Sequence, residues 1–204
     1  MRIIFLGNCQ TKPLAQYINP YNNYLIKYVL VHELNQEQMK QIFSQIGNFD
    51  IVFSQLLGQR FGALATANIE QTYPEKIVKI HNLYFAGLHP DLLSVPLPAL
   101  GHSRIILWSY FNGKSVDECL KRFSWRWYEK FGYFDSWKHS IRELYRREQW
   151  VDVKFAKDIE ELSRSKATFF TFNHPSSFLL IEYAKKLCRY IGLGQEFFPC
   201  EYYR

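Results

Sequence analysis

One cysteine stands where a predicted strand passes into a predicted helix, which is a favourable place for a nucleophile. Cys9 lies in the turn Gly-Asn-Cys-Gln, directly after an apolar run at residues 2–6. The amide groups and the dipole at the start of a helix favour a thiolate over a thiol. A thiolate in this turn could attack an acyl carbonyl, with the backbone amides of Cys9 and Gln10 holding the oxyanion beside Asn8. The alternative is a small buried cysteine without chemistry.

Histidines that follow predicted strands are the candidate bases. His174 ends the last predicted strand, and a sheet can bring it close to a nucleophile near the N-terminus. His89 is the rival base, and Asp91 either orients a histidine or caps the next helix. His81 ranks third. The cysteines and histidines show neither CxxC nor HExxH spacing, so the sequence predicts no metal site.

Uncharged amide side chains follow several of the predicted strands. Amides donate and accept hydrogen bonds without carrying charge, which suits an oxyanion hole or the hydroxyls of a sugar. Ligands of an open parallel sheet bind at the carboxyl ends of its strands. We therefore expect one site at that edge, where the substrate-binding candidates are Asn8, Gln10, Ser54, Gln55 and Asn82.

The elements that must position these residues alternate between strands and helices. Apolar, β-branched or aromatic runs predict strands at residues 2–6, 24–31, 50–53, 76–80 and 167–172. Helices are expected from the N-cap Thr11 to residue 18, and at 33–46 and 178–190. This order predicts a single α/β domain over residues 1–204, a three-layer sandwich with a mainly parallel, Rossmann-like sheet. Residues 103–163 are predicted to be a mostly helical insertion within it.

Composition narrows the class of protein. With 204 residues, 48% hydrophobic and 22% charged, the chain is neither a disordered tail nor a disulfide-stapled miniprotein. The formal net charge of +6 favours anionic partners such as nucleotides, phosphorylated sugars, nucleic acid or an acidic membrane face. The sequence has no nucleic-acid-binding signature, secretory signal or apolar stretch of about 20 residues. We therefore expect a cytoplasmic protein without a nucleic-acid partner, for which peripheral membrane association stays open.

The segment 121–130 interleaves basic and aromatic side chains. Arg122 and Arg126 could grip phosphates while the neighbouring rings stack on an adenine or a sugar. The alternative is an amphipathic helix whose rings pack inward and whose basic groups face water.

Two motifs in combination resemble a known family. The tetrapeptide at residues 7–10 and the segment 82–91, with its N-x-x-F-x-G-x-H-P-D pattern, look like the WcbI-type polysaccharide biosynthesis family. The pairs Ser54-Gln55 and Asn173-His174 fall where that family also places polar turns. The layout is also similar to that of SGNH hydrolases, in which a nucleophile follows the first strand and a histidine lies near the end. Their first block reads Gly-Asp-Ser, whereas this chain has Gly-Asn-Cys.

The resemblance implies transfer of an acetyl group from acetyl-CoA to a hydroxyl of a carbohydrate, nucleotide-sugar or polysaccharide acceptor. Cys9 would be the nucleophile and His174 or His89 would move the proton, or a histidine would activate the sugar directly without an acyl-enzyme. Gln55 and Asn82 would orient the sugar. Candidate contacts of coenzyme A are Gly7, Lys12, Arg122 and Arg126. Two alternatives remain, an SGNH-like carbohydrate acyl esterase and a non-catalytic glycan- or nucleotide-binding module that uses the segment 121–130.

Overall fold

Four parallel strands form the central sheet. A computed structural model describes residues 1–19, 24–93 and 102–193. The sheet has the strand order β2-β1-β3-β4, and the first strand pairs with both the second and the third. Its strands are β1 (Arg2–Gly7), β2 (Leu25–Leu30), β3 (Ile51–Gln55) and β4 (Ile77–Ile80).

Helices cover both faces of this sheet because alternate side chains of each buried strand point in opposite directions. Ile3 and Phe5 face the core that includes the helices α1 (Thr11–Ile18) and α9 (Ser177–Tyr190). Ile4 and Leu6 face the other core, formed with α2 (Gln36–Gln45) and α3 (Thr66–Thr72). The predicted three-layer α/β sandwich is therefore confirmed.

The helical region after β4 has two parts with different packing. It contains α4 (Arg104–Phe111), α5 (Val116–Leu120), α6 (Trp125–Lys130), α7 (Ser136–Glu148) and α8 (Ala156–Ser163), preceded by a short antiparallel pair of β5 (Leu92–Leu93) and β6 (His102–Ser103). Leu144 of α7 and Ile159 of α8 belong to the main core. By contrast, α5 and α6 contain no buried residue. Most of residues 103–163 lie in helices, and their assignment as an insertion within a single domain stays a prediction.

The strand predicted at residues 167–172 does not join the parallel sheet. Instead, β7 (Phe169–Thr171) pairs antiparallel with β8 (His174–Pro175) in a small hairpin. Phe170 on this hairpin is exposed, so the apolar run is not buried on both faces as a central strand would be. The predicted N-cap Thr11 is also wrong by one residue. Gln10 occupies the N-cap position, and the Thr11 hydroxyl donates to the carbonyl of Asn8.

Candidate functional site

The candidate site lies where the chain leaves β1 and β3 toward opposite faces of the sheet. β1 continues into α1 on one face, and β3 leads to α3 on the other. Such a reversal opens a crevice at the carboxyl ends of two neighbouring strands, where ligands of open α/β sheets bind. The two loops are joined across it, because the amide of Asn8 donates to Oε1 of Gln55 at 2.9 Å.

Gln55 and Gly7 fit each other closely beneath this crevice. A Cβ atom at position 7 would lie 2.5 Å from Oε1 of Gln55, so only glycine leaves room for the buried amide. Nε2 of Gln55 donates to Oδ1 of Asn8 at 3.2 Å. The buried hydroxyl of Ser54 donates to the Gln55 carbonyl. The sequence predicts that Gln55 and Ser54 contact the substrate, but both are buried because β3 extends two residues beyond its apolar run.

Gln10 holds three separate segments together. Its Nε2 donates to the carbonyls of Leu83 at 2.8 Å and Asn173 at 3.1 Å, and its Oε1 accepts from the Leu83 amide at 3.0 Å. The side chain is buried, so it positions the loops rather than touching a substrate. The amide of Phe85 also donates to the carbonyl of Phe172, which fixes the loop after β4 against the hairpin. The loops after β1 and β4 and the turn at Asn173 therefore converge, although the strand before Asn173 is not part of the parallel sheet.

Three side chains remain accessible above this buried layer. Cys9 is exposed with a free thiol, Asn82 is exposed, and Asn8 is half-buried between the buried layer and solvent. Nδ2 of Asn8 donates to Oδ1 of Asn82 at 2.9 Å, while Oδ1 of Asn8 accepts from the amide of Gln10 at 3.0 Å. The Gln10 amide is therefore not the oxyanion donor that the sequence suggested. The amide of Cys9 has no hydrogen-bond partner in the described part of the chain.

His174 is exposed and oriented by a threonine that sequence analysis missed. Nδ1 of His174 lies 2.6 Å from Oγ1 of Thr171, whose hydroxyl donates to Oδ1 of Asn173 at 2.9 Å. A hydroxyl has only one proton, so Thr171 accepts from the Nδ1–H of His174. The neutral imidazole then presents the lone pair of Nε2, which is the arrangement of a general base.

His89 and Asp91 do not form the pair that the sequence suggested. Nε2 of His89 lies 3.0 Å from the carbonyl of Phe169, which can only accept, so this nitrogen carries the proton. Oδ1 of Asp91 accepts from the Tyr133 hydroxyl and from the amide of Ile105 at 3.2 Å. Asp91 makes no hydrogen bond to a histidine among the described residues. It instead anchors the start of α4, so of the two roles expected from the sequence the hydrogen bonds favour the contact with the next helix.

His81 follows β4 but points away from the accessible surface. It is buried, and its Nε2 lies 3.2 Å from Oε1 of Glu148. Burial lowers the pKa of His81, and the hydrogen bond that its ring donates to the Glu148 carboxylate opposes that shift. Glu148 also accepts the amide of Ala156 at 2.6 Å, so the pair fixes α8 rather than taking part in surface chemistry.

The cationic candidates lie in different surroundings. Lys12 is exposed in the first turn of α1, three residues after Cys9, and Arg126 is exposed on α6. Arg122 is buried, with its guanidinium carbon 5.1 Å and 5.0 Å from the ring centroids of Trp108 and Trp127. The structure therefore gives Arg122 a packing role in place of the predicted phosphate contact.

Arg147 is a second residue that sequence analysis missed. Its guanidinium donates to the carbonyls of Asn82 and Tyr84 and lies 5.4 Å from the Tyr84 ring centroid. It lines a cavity of about 220 Å³ beside the loop that carries Asn82. In the sequence it is one cation of the Arg-Arg-Glu run that ends α7, and only the fold shows which of the two arginines turns inward.

No group of three or more His, Cys, Asp or Glu side chains in the described ranges could hold a metal ion. No helix in those ranges is long and apolar enough to cross a membrane.

Comparisons with known proteins assign the family. The family model described as polysaccharide biosynthesis enzyme WcbI matches residues 2–196. The chain is also similar to a solved structure of WcbI, described as a novel polysaccharide biosynthesis enzyme and as native protein without a disulfide bond between CoA and one of its cysteines. The TM-score is 0.85 at 18% identity, over 100% of this chain and 73% of that chain. No curated protein sequence matches. Because the family model spans nearly the whole chain, as the resemblance predicted, the chain belongs to the WcbI family of polysaccharide biosynthesis enzymes.

Proposed function

We propose that this chain transfers an acetyl group from acetyl-CoA to a hydroxyl of a carbohydrate acceptor, with Cys9 at the reaction centre. The observation that carries the proposal is an exposed, free thiol held at the strand crossover by a layer of buried amides. The family supplies polysaccharide biosynthesis. The solved relative supports coenzyme A as the donor, since its description names CoA together with a cysteine.

In the covalent route, the Cys9 thiolate attacks the thioester carbonyl of acetyl-CoA. The tetrahedral oxyanion accepts from the unpaired amide of Cys9 and from the second Nδ2 proton of Asn8. Collapse expels the coenzyme A thiolate and leaves acetyl-Cys9. Nε2 of His174 then removes the proton of the acceptor hydroxyl, the oxygen attacks the acetyl carbonyl, and the Cys9 thiolate leaves.

In the direct route, no acyl-enzyme forms. Nε2 of His174 takes the proton of the acceptor hydroxyl, and that oxygen attacks the thioester carbonyl of bound acetyl-CoA while Cys9 only lines the site. The coenzyme A thiolate then leaves and can accept the proton held by His174. The two routes differ in one species, acetyl-Cys9. His89 remains the rival base through its Nδ1, because its Nε2 is engaged by the Phe169 carbonyl.

Substrate contacts follow from which groups are accessible. Asn82 is the first choice for the sugar, since it is exposed beside the turn that carries Cys9. Lys12 is the first choice for a phosphate of coenzyme A, because it projects from the first turn of the helix that follows Cys9. Arg147 lies under the same loop as Asn82 and supports its backbone. The chain's net charge of +6 favours an anionic donor overall.

Calorimetric titration with coenzyme A and acetyl-CoA at low and moderate salt tests the donor. We expect binding that weakens as salt increases, and weaker binding by Lys12→Ala than by Lys40→Ala, a matched exposed lysine on α2. A saturating donor at a hundredfold excess over Kd should also stabilise the fold by about 2.7 kcal/mol. If neither coenzyme A nor acetyl-CoA bound at low or at moderate salt, the result would contradict the proposal.

Intact-protein mass spectrometry after mixing with acetyl-CoA distinguishes the two routes. An added acetyl group that disappears in Cys9→Ala and persists in Cys119→Ala indicates the covalent route. Acetyl transfer without that species indicates the direct route. Turnover of p-nitrophenyl acetate without coenzyme A, lost in Cys9→Ala, would favour the esterase alternative instead.

A further inference from the structure

A large apolar surface covers the outside of α4 to α6 and the turn after them. Eight of the 17 large hydrophobic side chains that are exposed in the described ranges fall within residues 106–134. Tyr110 is 77% exposed, Val116 75% and Trp125 71%. We call the whole set the insertion surface, and its members are Ile106, Tyr110, Phe111, Val116, Leu120, Phe123, Trp125 and Phe134.

These side chains form one continuous surface rather than isolated exposures. Ile106, Tyr110, Val116, Leu120 and Phe123 line one groove of about 290 Å³. Phe123 also lines a neighbouring cavity of about 320 Å³ that includes Phe134. The remaining rings extend it at both ends, with centroids 4.1 Å apart for Trp125 and Phe134 and 5.6 Å apart for Tyr110 and Phe111.

The packing beneath the insertion surface explains why these residues point outward. Trp108, Trp127 and Phe131 pack together, and the buried guanidinium of Arg122 lies against the first two rings. This cluster supplies the contacts that hold α4 to α6 together. Monomeric soluble proteins rarely leave apolar patches of this extent uncovered, so a continuous exposed surface of eight large side chains indicates a binding partner.

Charge selects the kind of partner. Residues 104–138 carry seven Lys or Arg against four Asp or Glu, a net charge of +3 that includes the buried Arg122. Lys121 and Arg126 are exposed without an ion-pair partner in the described part of the chain, and Lys114 lines the groove itself. A second copy would place like charges against each other, whereas an anionic partner would neutralise them.

We infer that the insertion surface binds peripherally to a bilayer that contains anionic lipids. Tyrosine, tryptophan, phenylalanine and leucine side chains insert at the boundary between head groups and acyl chains, which is where amphipathic aromatic rings concentrate. The flanking Lys and Arg side chains extend to the anionic head groups, each adding an attraction that salt screens. The inference is independent of the acetyl-transfer proposal, because it uses neither Cys9 nor the amide layer.

Co-sedimentation with vesicles tests this inference. We expect the chain to bind vesicles of phosphatidylcholine mixed with phosphatidylglycerol, to bind vesicles of phosphatidylcholine alone much less, and to lose binding at high salt. Leu120→Ser combined with Trp125→Ser should lower the partition coefficient roughly tenfold or more. Lys121→Glu combined with Arg126→Glu should lower it on anionic vesicles roughly fivefold or more.

A matched double variant controls for general loss of surface hydrophobicity and charge. Trp150 is 66% exposed and Lys157 77% exposed, and both lie outside residues 104–138. Trp150→Ser combined with Lys157→Glu should leave vesicle binding unchanged, and circular dichroism should show all variants folded. Failure to sediment with anionic vesicles would overturn the inference. An equal loss in the control, or a dimer in light scattering that Leu120→Ser with Trp125→Ser dissociates, would overturn it too.

Discussion

Two regions of the molecule are opposite in character, the loops around Cys9 that follow β1, β3 and β4, and the insertion surface. Around the loops, the polar side chains of Gln10 and Gln55 are buried and bonded to neighbouring loops. On the insertion surface, apolar side chains such as Tyr110 and Trp125 face solvent. Buried polar groups are tolerated only when hydrogen-bonded, and exposed apolar groups contribute little to folding. Buried polar side chains therefore hold the geometry of the loops, whereas exposed apolar side chains on the insertion surface are available to a partner.

Removing the thiol should have the largest functional effect with almost no effect on folding. We expect Cys9→Ala to reduce kcat of acetyl transfer by about a thousandfold or more on the covalent route. Because Cys9 is exposed, the Tm of the Cys9→Ala protein should stay close to that of the unmodified chain. Steady-state release of coenzyme A measures the first quantity and thermal melting the second. A large fall in Tm would mean that Cys9 belongs to the structural layer.

Removing the buried side chain of Gln10 should lower the free energy of unfolding more than any of the other substitutions. Gln10→Ala leaves the amide of Leu83 and the carbonyls of Leu83 and Asn173 without this partner, which should cost about 3 kcal/mol. The exposed Gln16 on α1 is the control, and Gln16→Ala should change stability by less than about 0.5 kcal/mol. Tyr110→Ser on the insertion surface should be similarly mild. Urea denaturation measures all three, and equal losses would remove the contrast between the two regions.

A methyl group at position 7 should displace the buried Gln55 side chain and destabilise the fold less than Gln10→Ala does. Gly7→Ala pushes Gln55 from its place and removes the partner of the Asn8 amide, which should cost about 2 kcal/mol. Nothing lies within 4 Å of the corresponding atom at Gly58, so Gly58→Ala is the matched control and should be nearly neutral. Denaturation midpoints compare the two. A neutral Gly7→Ala would show that Gln55 can move without cost.

The threonine beside His174 should affect rate rather than folding. Thr171→Val removes the group that accepts from Nδ1 of His174, so the wrong tautomer becomes accessible and kcat should fall about tenfold. Thr171→Ser keeps the hydroxyl and should retain most of the rate, while KM stays similar in both variants. If valine and serine lowered kcat equally, the hydroxyl would have no positioning role.

Lowering the pH should have the smallest effect on stability, through the hydrogen-bonded pair of His81 and Glu148. Burial holds the pKa of His81 below its unfolded value, so the unfolded chain binds a proton first as pH falls through about 6.5. The contribution of neutral His81 to the free energy of unfolding is therefore complete above that pH. It is lost as pH falls toward the lower pKa of His81 in the folded chain. Melting curves should show a pH-dependent fall in Tm that is shallower in His81→Gln. The same slope in both proteins would exclude His81, and His139→Gln at an exposed position is the control.

The sequence predicted the four strands of the sheet and the position of Cys9 after the first of them, because apolar runs identify buried strands and polar residues mark their ends. It did not predict which polar residues at those ends would be buried. Ser54 and Gln55 follow the apolar run at 50–53, which predicts that the strand ends before them, yet pairing with β4 continues the strand through both residues. Whether a glutamine faces a substrate or ties a loop depends on what lies opposite, which local pattern does not contain.

The same limit explains the errors at Arg122 and at residues 167–172. Arg122 is buried because Trp108, fourteen residues earlier, reaches its guanidinium, and helical periodicity alone does not specify that contact. The run at 167–172 has strand composition, but its pairing partner is the two-residue strand immediately after it. Composition indicates an extended conformation and leaves the choice between sheet and hairpin to long-range packing.

The hydrogen bonds of the Gln10 side chain also determine when the loops around Cys9 can assemble during synthesis. Its partners at Leu83 and Asn173 lie 73 and 163 residues further along the chain. Contacts of such long sequence separation form late, because the loops that they close must be ordered first. A ribosome-bound chain that ends before Asn173 has the cysteine but not the assembled loops around it. The Cys9 thiol therefore gains its complete surroundings only after Asn173 has been synthesised.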